Sequence, residues 1–168
     1  AGGSIGIFGV QIAKMMGAEV TAVDSGAKEG LLRAIGADHF IDYEKQDFTK
    51  NEQKYDVIFD MVAQSVYANC IKSLSAGGRY LMANPRISDM LKSIFTTRFS
   101  DKKVYFAFAG EKEAELLDLK EMIESGKIKS AIHKVYPMNQ ASEAHEAVET
   151  ERRVGSVVMS LTDLKRAP

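Results

Sequence analysis

The alternation of short β-branched runs with amphipathic helical patterns constrains the fold of this chain more than any other feature. The run at residues 55–62 (YDVIFDMV) is the clearest strand, and apolar residues at helical spacing over residues 7–16 give the first helix. Further strands are predicted at 19–24, 39–43, 79–83, 103–109 and 155–161, and further helices at 28–35, 66–74, 87–99, 111–125 and 139–151. Such alternation predicts an α/β fold, a doubly wound parallel sheet with helices on both faces.

In a sheet of this kind ligands bind beyond the carboxyl ends of the strands. The predicted strands end near Asp24, Tyr43, Ala63 and Asn84. We therefore expect any binding site to gather at these four positions.

Composition excludes several classes of partner. Lys and Arg number 22 against 23 Asp and Glu, a net charge of -1, so no basic footprint for nucleic acid is present. No apolar run approaches the ~20 residues of a membrane span, so no membrane partner is expected. The single cysteine, Cys70, excludes an internal disulfide framework and a cysteine-clustered zinc site, and it fits a reducing cytoplasm.

A glycine turn, Gly3-Ser4-Ile5-Gly6, opens the first helix. Small residues let a backbone approach a pyrophosphate, and a helix N-terminus supplies free N–H groups with a partial positive charge. Taken alone, this motif is about equally typical of a dinucleotide site and of a tight turn that binds no ligand.

Asp24 lies eighteen positions after Gly6, close to the ~20 expected of a carboxylate that binds the adenosine ribose. A carboxylate there favours NAD, whereas Ser25 and Lys28 are suited to the 2′-phosphate of NADP. The alternative for Asp24 is a helix-capping or turn residue. The cofactor role is favoured, and the choice between NAD and NADP stays open.

Several segments together resemble one family, the medium-chain dehydrogenase/reductases, and within it the zinc-independent, quinone-oxidoreductase-like branch. The similar segments are AGGSIG at 1–6 with VQIAK at 10–14, LLRAIGADH at 31–39, IDY at 41–43, YDVIFD at 55–60, and YPM at 136–138 with Ala141 and EAH at 143–145. Ser4 stands where the branch usually has glycine, and Gly155-Ser156 stands where Gly-Lys is common.

The resemblance implies two parts. Residues 1–126 would be a Rossmann-type NAD(P)-binding domain whose first, central strand is missing. Residues 127–168 would be the C-terminal strand and helix segment that returns to an absent GroES-like catalytic domain. We expect the central position to be filled by upstream residues, or by residues 155–161 of this chain or of a neighbour.

The resemblance also assigns residues to a cofactor site. Gly3, Ser4, Ile5 and Gly6 would hold the pyrophosphate, Asp24, Ser25 and Lys28 would surround the adenosine ribose, and Tyr43 would lie beside the adenine. Ala63 and Gln64 end a strand, and the nicotinamide side would be approached by Met82, Ala83, Asn84, Phe106, Ala107 and Phe108. Core packing is an equal alternative for this last group. No catalytic residue is named, because the substrate-polarising donors would come from the absent domain.

The function implied is hydride transfer between NAD(P)H and a carbonyl, enone or quinone, without catalytic zinc. His39, His133 and His145 are scattered and lack metal-ligand spacing. The fragment alone is expected to be inactive. The alternative is a non-catalytic nucleotide-binding or adaptor module. A homodimer through the apolar strand at 104–109 is also expected, since exposed strand edges invite pairing.

Overall fold

The computed structural model describes residues 1–62, 65–106, 112–150 and 153–161, and it has the predicted mixed α/β architecture with parallel strands. The elements in chain order are α1 (Gly6–Met15), β1 (Thr21–Asp24), α2 (Glu29–Ala34), β2 (His39–Asp42), β3 (Tyr55–Asp60), α3 (Tyr67–Ser73), β4 (Leu74–Met82), α4 (Ile87–Phe99), β5 (Lys103–Phe106), α5 (Glu113–Glu124), β6 (Ile132–Pro137), α6 (Ala141–Glu149) and β7 (Ser156–Ser160). Among the described helices, none has the length and apolar character needed to cross a bilayer.

The chain divides into two compact units. The first unit comprises residues 1–46 together with 113–168, and the second comprises residues 47–112. The predicted division into two parts at residue 126 stays a prediction.

In the first unit, β1 and β2 form a parallel pair with Thr21 opposite His39 and Asp24 opposite Asp42. The β-branched and aromatic residues of these runs suit a pleated surface that is partly buried. The helices α1 and α2 contribute to a small apolar core with β1. Its buried members are Val10, Ala22, Leu32 and Ala37.

The C-terminal part of the first unit is a strand–helix–strand module, in which β6 and β7 pair in parallel with α6 between them along the chain. The side-chain amide of Gln11 fastens this segment to α1: it donates to the Lys129 carbonyl (3.0 Å) and accepts from the Lys129 N–H (2.8 Å). Since β7 pairs with β6 in the described structure, the expectation that residues 155–161 of this same chain fill a central sheet position is wrong. Pairing with β6 satisfies the backbone groups of β7 locally.

The second unit is a three-stranded parallel sheet in the order β3-β4-β5, and β5 is an outer strand of it, as predicted. Tyr80 and Cys70 are fully buried at the centre of its apolar core. The strand predicted to start at residue 79 begins earlier, at Leu74, because the glycine-containing segment 76–78 is accommodated as an irregularity within β4. Gly77 adopts a positive φ of 70° there, a conformation that costs glycine little.

Candidate functional site

The N-terminus of α1 presents unpaired backbone donors. The first N–H groups of any helix lack a partner within the helix. Here no side chain caps the helix, and its first turn contains no acidic residue. Within the described part of the chain, the N–H groups of Ser4, Ile5 and Gly6 donate to no protein acceptor. These donors and the helix dipole make the glycine turn (residues 3–6) suited to an anion.

The turn requires glycine at its last position. A β-carbon on Gly6 would lie far inside van der Waals contact with the carbonyl oxygen of Ala1. At Gly3, by contrast, the one neighbour that a β-carbon would have within 4 Å among the described residues is the guanidinium of Arg153, at 3.7 Å. A side chain therefore does not fit at Gly6, whereas there is room for one at Gly3.

Asp24 ties the chain just before the turn to the end of β1. One carboxylate oxygen, Oδ2, accepts from the Ala1 amino group (2.7 Å) and the Gly2 N–H (2.6 Å). The other, Oδ1, accepts from the Ser25 N–H (2.9 Å) and pairs with the Lys28 ammonium (2.9 Å). A carboxylate offers about four lone-pair sites, so all of them are committed within the chain.

Burial alone would raise the pKa of the Asp24 carboxyl. Hydrogen bonds from the Ala1 nitrogen, the Gly2 N–H and the Lys28 ammonium outweigh that effect and hold this pKa well below its ordinary value. Asp24 is thus a stable anion at neutral pH, and its neighbours neutralise its charge locally.

Lys28, Ser25 and Tyr43 complete the group around Asp24. Lys28 is buried, and its aliphatic stem covers Gly2, where a β-carbon would lie 2.6 Å from the lysine Cδ. The Tyr43 N–H donates to the Asp24 carbonyl (3.2 Å), while the Tyr43 side chain is about half exposed. The structure therefore places all the predicted pyrophosphate, ribose and adenine residues in the first unit, gathered at α1 and the ends of β1 and β2.

Sequence reasoning missed one neighbour of the turn, Arg153. The Gly155 N–H donates to the Gly2 carbonyl (3.2 Å) and brings the strand entry of β7 to the turn. In the sequence, this segment differs from the family pattern at Gly155-Ser156. Only the folded chain shows that the segment contacts residues far away in sequence.

The remaining predicted site residues belong to the second unit or lie outside the described residues. Ala83 follows β4 and donates its N–H to the Asp60 carbonyl (2.9 Å), and the Asn84 amide donates to the Met61 carbonyl (2.9 Å). Met82 is buried in the core of this unit, and Phe106, opposite it in register, packs against that core. These two residues therefore pack in the core of this unit, and their approach to the nicotinamide stays a prediction. Ala63, Gln64, Ala107 and Phe108 lie outside the described residues.

The described residues contain no group of three or more His, Cys, Asp and Glu side chains that could hold a metal ion. His39 pairs with Glu19 at 2.6 Å, and His133 Nδ1 accepts from the Val154 N–H at 3.3 Å.

A groove of about 490 Å³ runs along the other end of α1, lined by Gln11, Lys14, Met15, Ala34, Ile35, Gly36, Gly126, Lys127 and Lys129. It contains none of the predicted site residues. Its three lysines make it a second place in this unit where an anion could bind, so experiments on the turn must separate the two.

A family model described as zinc-binding dehydrogenase matches residues 35–159, about three quarters of the chain. The chain belongs to this family. A 2-methylene-furan-3-one reductase from Solanum lycopersicum is 31% identical over 162 residues, which cover 94% of this chain and 38% of that protein. The NAD(P)H oxidoreductase RTN4IP1, mitochondrial, from Bos taurus is 30% identical over 183 residues, which cover 96% of this chain and 46% of that protein.

Among solved structures, the quinone oxidoreductase from Coxiella burnetii superposes with a TM-score of 0.83 at 22% identity, covering 96% of this chain and 50% of that one. This likeness confirms the Rossmann-type fold. The zinc-binding dehydrogenase match and these relatives together confirm the resemblance to medium-chain dehydrogenase/reductases of the quinone-oxidoreductase type. The chain spans about half the length of the relatives it matches.

Proposed function

We propose that this chain is the nucleotide-binding half of a nicotinamide-dependent oxidoreductase that moves hydride between NAD(P)H and a carbonyl, enone or quinone. The names of relatives support this class, as they include an NAD(P)H oxidoreductase and a furanone reductase. The cofactor, when bound, supplies or accepts the hydride, and the protein supplies position and field.

The observation that carries the proposal is the glycine turn. Three backbone N–H groups that have no acceptor among the described residues stand at the N-terminus of a ten-residue helix, beside Gly3. A pyrophosphate brings acceptors and negative charge to such a place. Tyr43, exposed at the end of β2, offers its ring as a surface for an adenine.

Asp24 holds this arrangement in shape before any ligand binds. Its carboxylate fixes Gly2 and therefore the entry to the turn, and its partner Lys28 covers Gly2 from the side. Preorganised donors lose less entropy on binding than donors that must be gathered by the ligand.

We infer that NADPH binds at least as tightly as NADH. The lone pairs of Asp24 are committed to four donors, so a ribose hydroxyl finds no open acceptor on this carboxylate in the described conformation. Because Lys28 neutralises the charge of the Asp24 carboxylate, that carboxylate repels a 2′-phosphate only weakly. Ser25 and Lys28 both contact this carboxylate, and a hydroxyl and an ammonium are donors that suit a phosphate. The assignment of Asp24 to the ribose stays a prediction.

Titration of the chain with NADPH and with NADH by calorimetry tests both statements. We expect saturable binding of NADPH, with NADH equal or weaker. Tighter binding of NADH would contradict the inference on cofactor choice, and the absence of binding for both would contradict the proposed function.

Turnover is expected only when the chain is joined to a substrate-binding domain. Consumption of NADPH with an enone or a quinone by such a protein measures it. Nucleotide binding without turnover there would favour the alternative, a nucleotide-binding or adaptor module.

Two further features stay proposals. We propose a homodimer through the strand at 104–109, supported by the outer position of β5 and the half-exposed Tyr105. A cytoplasmic location and chemistry without zinc are proposed from the single cysteine and the scattered histidines.

A further inference from the structure

Helix α4 of the second unit turns its large apolar side chains outward. Five of them follow one another at the spacing of a single helix face, and each exposes between 59% and 80% of its surface. We call these residues the apolar face of α4: Ile87, Leu91, Ile94, Phe95 and Phe99. A surface helix of a globular protein ordinarily directs such a stripe toward the core. The apolar face of α4 is therefore a surface that this unit does not bury.

The opposite side of α4 is polar and faces the second unit. Asp89 and Ser93 are buried there, and the Tyr67 hydroxyl donates to Thr96 Oγ1 (2.9 Å). Rotation of the helix to hide its apolar face would break the bond between Tyr67 and Thr96. The polar contacts thus fix which side of α4 points outward.

Two phenylalanine rings and an arginine lie at the C-terminal end of the apolar face. The rings of Phe95 and Phe99 stack with their centroids 6.3 Å apart, and the Arg98 guanidinium lies 5.7 Å from the centroid of the Phe99 ring. The ring bodies are apolar, whereas an arginine keeps its charged end in water. This combination suits a boundary between an apolar phase and charged groups.

Basic residues accompany the apolar face. The segment 86–103 contains five basic and two acidic residues, a net charge of +3, whereas the whole chain has a net charge of -1. The basic residues are Arg86, Lys92, Arg98, Lys102 and Lys103. Of the acidic residues, Asp89 is buried and pairs with Lys92 (3.0 Å), and Asp101 accepts from the Gly77 N–H (2.8 Å). The charge that this segment presents to solvent is therefore positive.

We propose that α4 docks this chain on the surface of an anionic phospholipid membrane. The apolar face enters the boundary between headgroups and acyl chains, and the basic residues of segment 86–103 face the lipid phosphates. The helix has 13 residues and is about 20 Å long, so it lies in the plane of the membrane. The expectation of no membrane partner came from the absence of a spanning run, and docking on a surface does not require one.

A protein partner, such as a second copy of this chain, is the alternative occupant of the apolar face. Protein interfaces are poor in lysine, whereas three of the five basic residues in segment 86–103 are lysines. An anionic lipid surface offers a counter-charge to all five at once, because its phosphates are present at every position along the helix. Charge complementarity therefore favours the membrane.

The test measures co-sedimentation of the full chain with vesicles of phosphatidylcholine alone and of phosphatidylcholine mixed with phosphatidylglycerol, at low and high salt. The apolar variant is Leu91→Gln with Phe95→Gln. Its matched control is Leu116→Gln with Leu117→Gln, two leucines that are exposed to a similar degree on α5, where the first turn is acidic. Thermal unfolding verifies that each variant is folded, and light scattering without lipid measures self-association.

A fluorescent reporter locates the contact. The chain contains no tryptophan, so Phe99→Trp reports on α4 and Leu117→Trp reports on α5. On the mixed vesicles we expect the emission of Phe99→Trp to shift to shorter wavelength, since an indole that leaves water emits there, and the emission of Leu117→Trp to stay unchanged.

We expect the chain to sediment with the mixed vesicles, to bind phosphatidylcholine alone about 10-fold more weakly or less, and to dissociate at high salt. The apolar variant should lose about 10-fold or more in affinity for the mixed vesicles, and its control should bind like the parent chain.

The proposal is overturned if the chain does not sediment with the mixed vesicles, or if it binds both kinds of vesicle equally, since the basic residues would then contribute nothing. Equal losses in the apolar variant and its control would also overturn it. Self-association without lipid that the apolar variant abolishes, together with no vesicle binding, would assign the apolar face to a second copy. Vesicle binding requires no dinucleotide, so failure here leaves the proposed function standing, and the reverse also holds.

Discussion

The carboxylate of Asp24 joins the chain before the glycine turn to the end of β1, and it does so from a buried position. Each of its oxygens accepts two donors, which include the Lys28 ammonium. Removing one member of a buried network leaves the others without partners, and that cost exceeds the net gain of one hydrogen bond.

Asp24→Asn tests this role at the level of one residue. The amide replaces two acceptor positions with donors and leaves Lys28 without a counter-charge. We expect a loss of about 2–4 kcal/mol in the free energy of unfolding, measured by urea denaturation. Glu29→Gln is the control, because Glu29 pairs with Arg33 on the exposed surface, and it should leave the urea midpoint nearly unchanged. Equal losses in the two variants would contradict the role of Asp24.

The pH dependence of stability follows from the same residue. The pKa of Asp24 is lowered in the folded chain, so the unfolded chain takes up a proton at a pH where the folded chain does not. The stability that Asp24 contributes is therefore fully present above the ordinary aspartate pKa of 3.8 and is lost as the pH falls below it. We expect the difference in unfolding free energy between the parent chain and Asp24→Asn to be constant from pH 5 to 8 and to shrink below about pH 4. A difference that grows on acidification would contradict this.

At the level of the element, α1 depends on Gly6. Steric space at the turn requires glycine there, and helix propensity does not. Gly6→Ala would place a β-carbon against the Ala1 carbonyl, so the turn must open. We expect loss of NADPH binding together with lower thermal stability.

Gly30→Ala is the control for that change. Gly30 lies in α2, and a β-carbon there would meet no described residue within 4 Å. Since alanine favours a helix over glycine, this variant should gain about 0.5–1 kcal/mol and bind NADPH normally. If Gly6→Ala binds as well as Gly30→Ala, the tight turn is not needed for the ligand.

The outer strand β5 carries a separate prediction. Charged residues on an edge strand oppose pairing with a second chain. Tyr105→Lys should therefore convert a dimer to a monomer in light scattering across a concentration series, and Lys103→Tyr, on the same strand, should not. A parent chain that is monomeric at every concentration would contradict the dimer.

Local sequence patterns predicted most of the elements, because each strand and helix follows from its own periodicity. The helix at 7–16 and the strand at 155–161 appear nearly as predicted. The early start of β4 was missed, because its continuation through Gly77 depends on pairing with β3. The partner of β7 was missed for the same reason, since pairing between distant segments leaves no local signal.

The candidate site, too, was predicted only in part from the sequence. Spacing identified Asp24 and the turn, because a strand, a turn and a helix stand in order along the chain. It did not reveal that Asp24 binds Gly2 and Lys28 at once, nor that Arg153 reaches Gly3. Both contacts depend on how the chain returns to the turn after more than twenty residues.

At the scale of the whole molecule, the central proposal is that the chain binds a nicotinamide dinucleotide with its diphosphate on the glycine turn. The relatives it matches are oxidoreductases by name, and this chain spans about half of their length. The first unit contains the turn, Asp24 and Arg153, so the diphosphate and adenosine contacts are tested within that unit.

A crystal structure of the chain with NADPH tests this claim most directly. Diphosphate oxygens are expected within about 2.7–3.2 Å of the backbone nitrogens of Ser4, Ile5 or Gly6. A diphosphate bound instead in the groove lined by Lys14, Lys127 and Lys129 would contradict it.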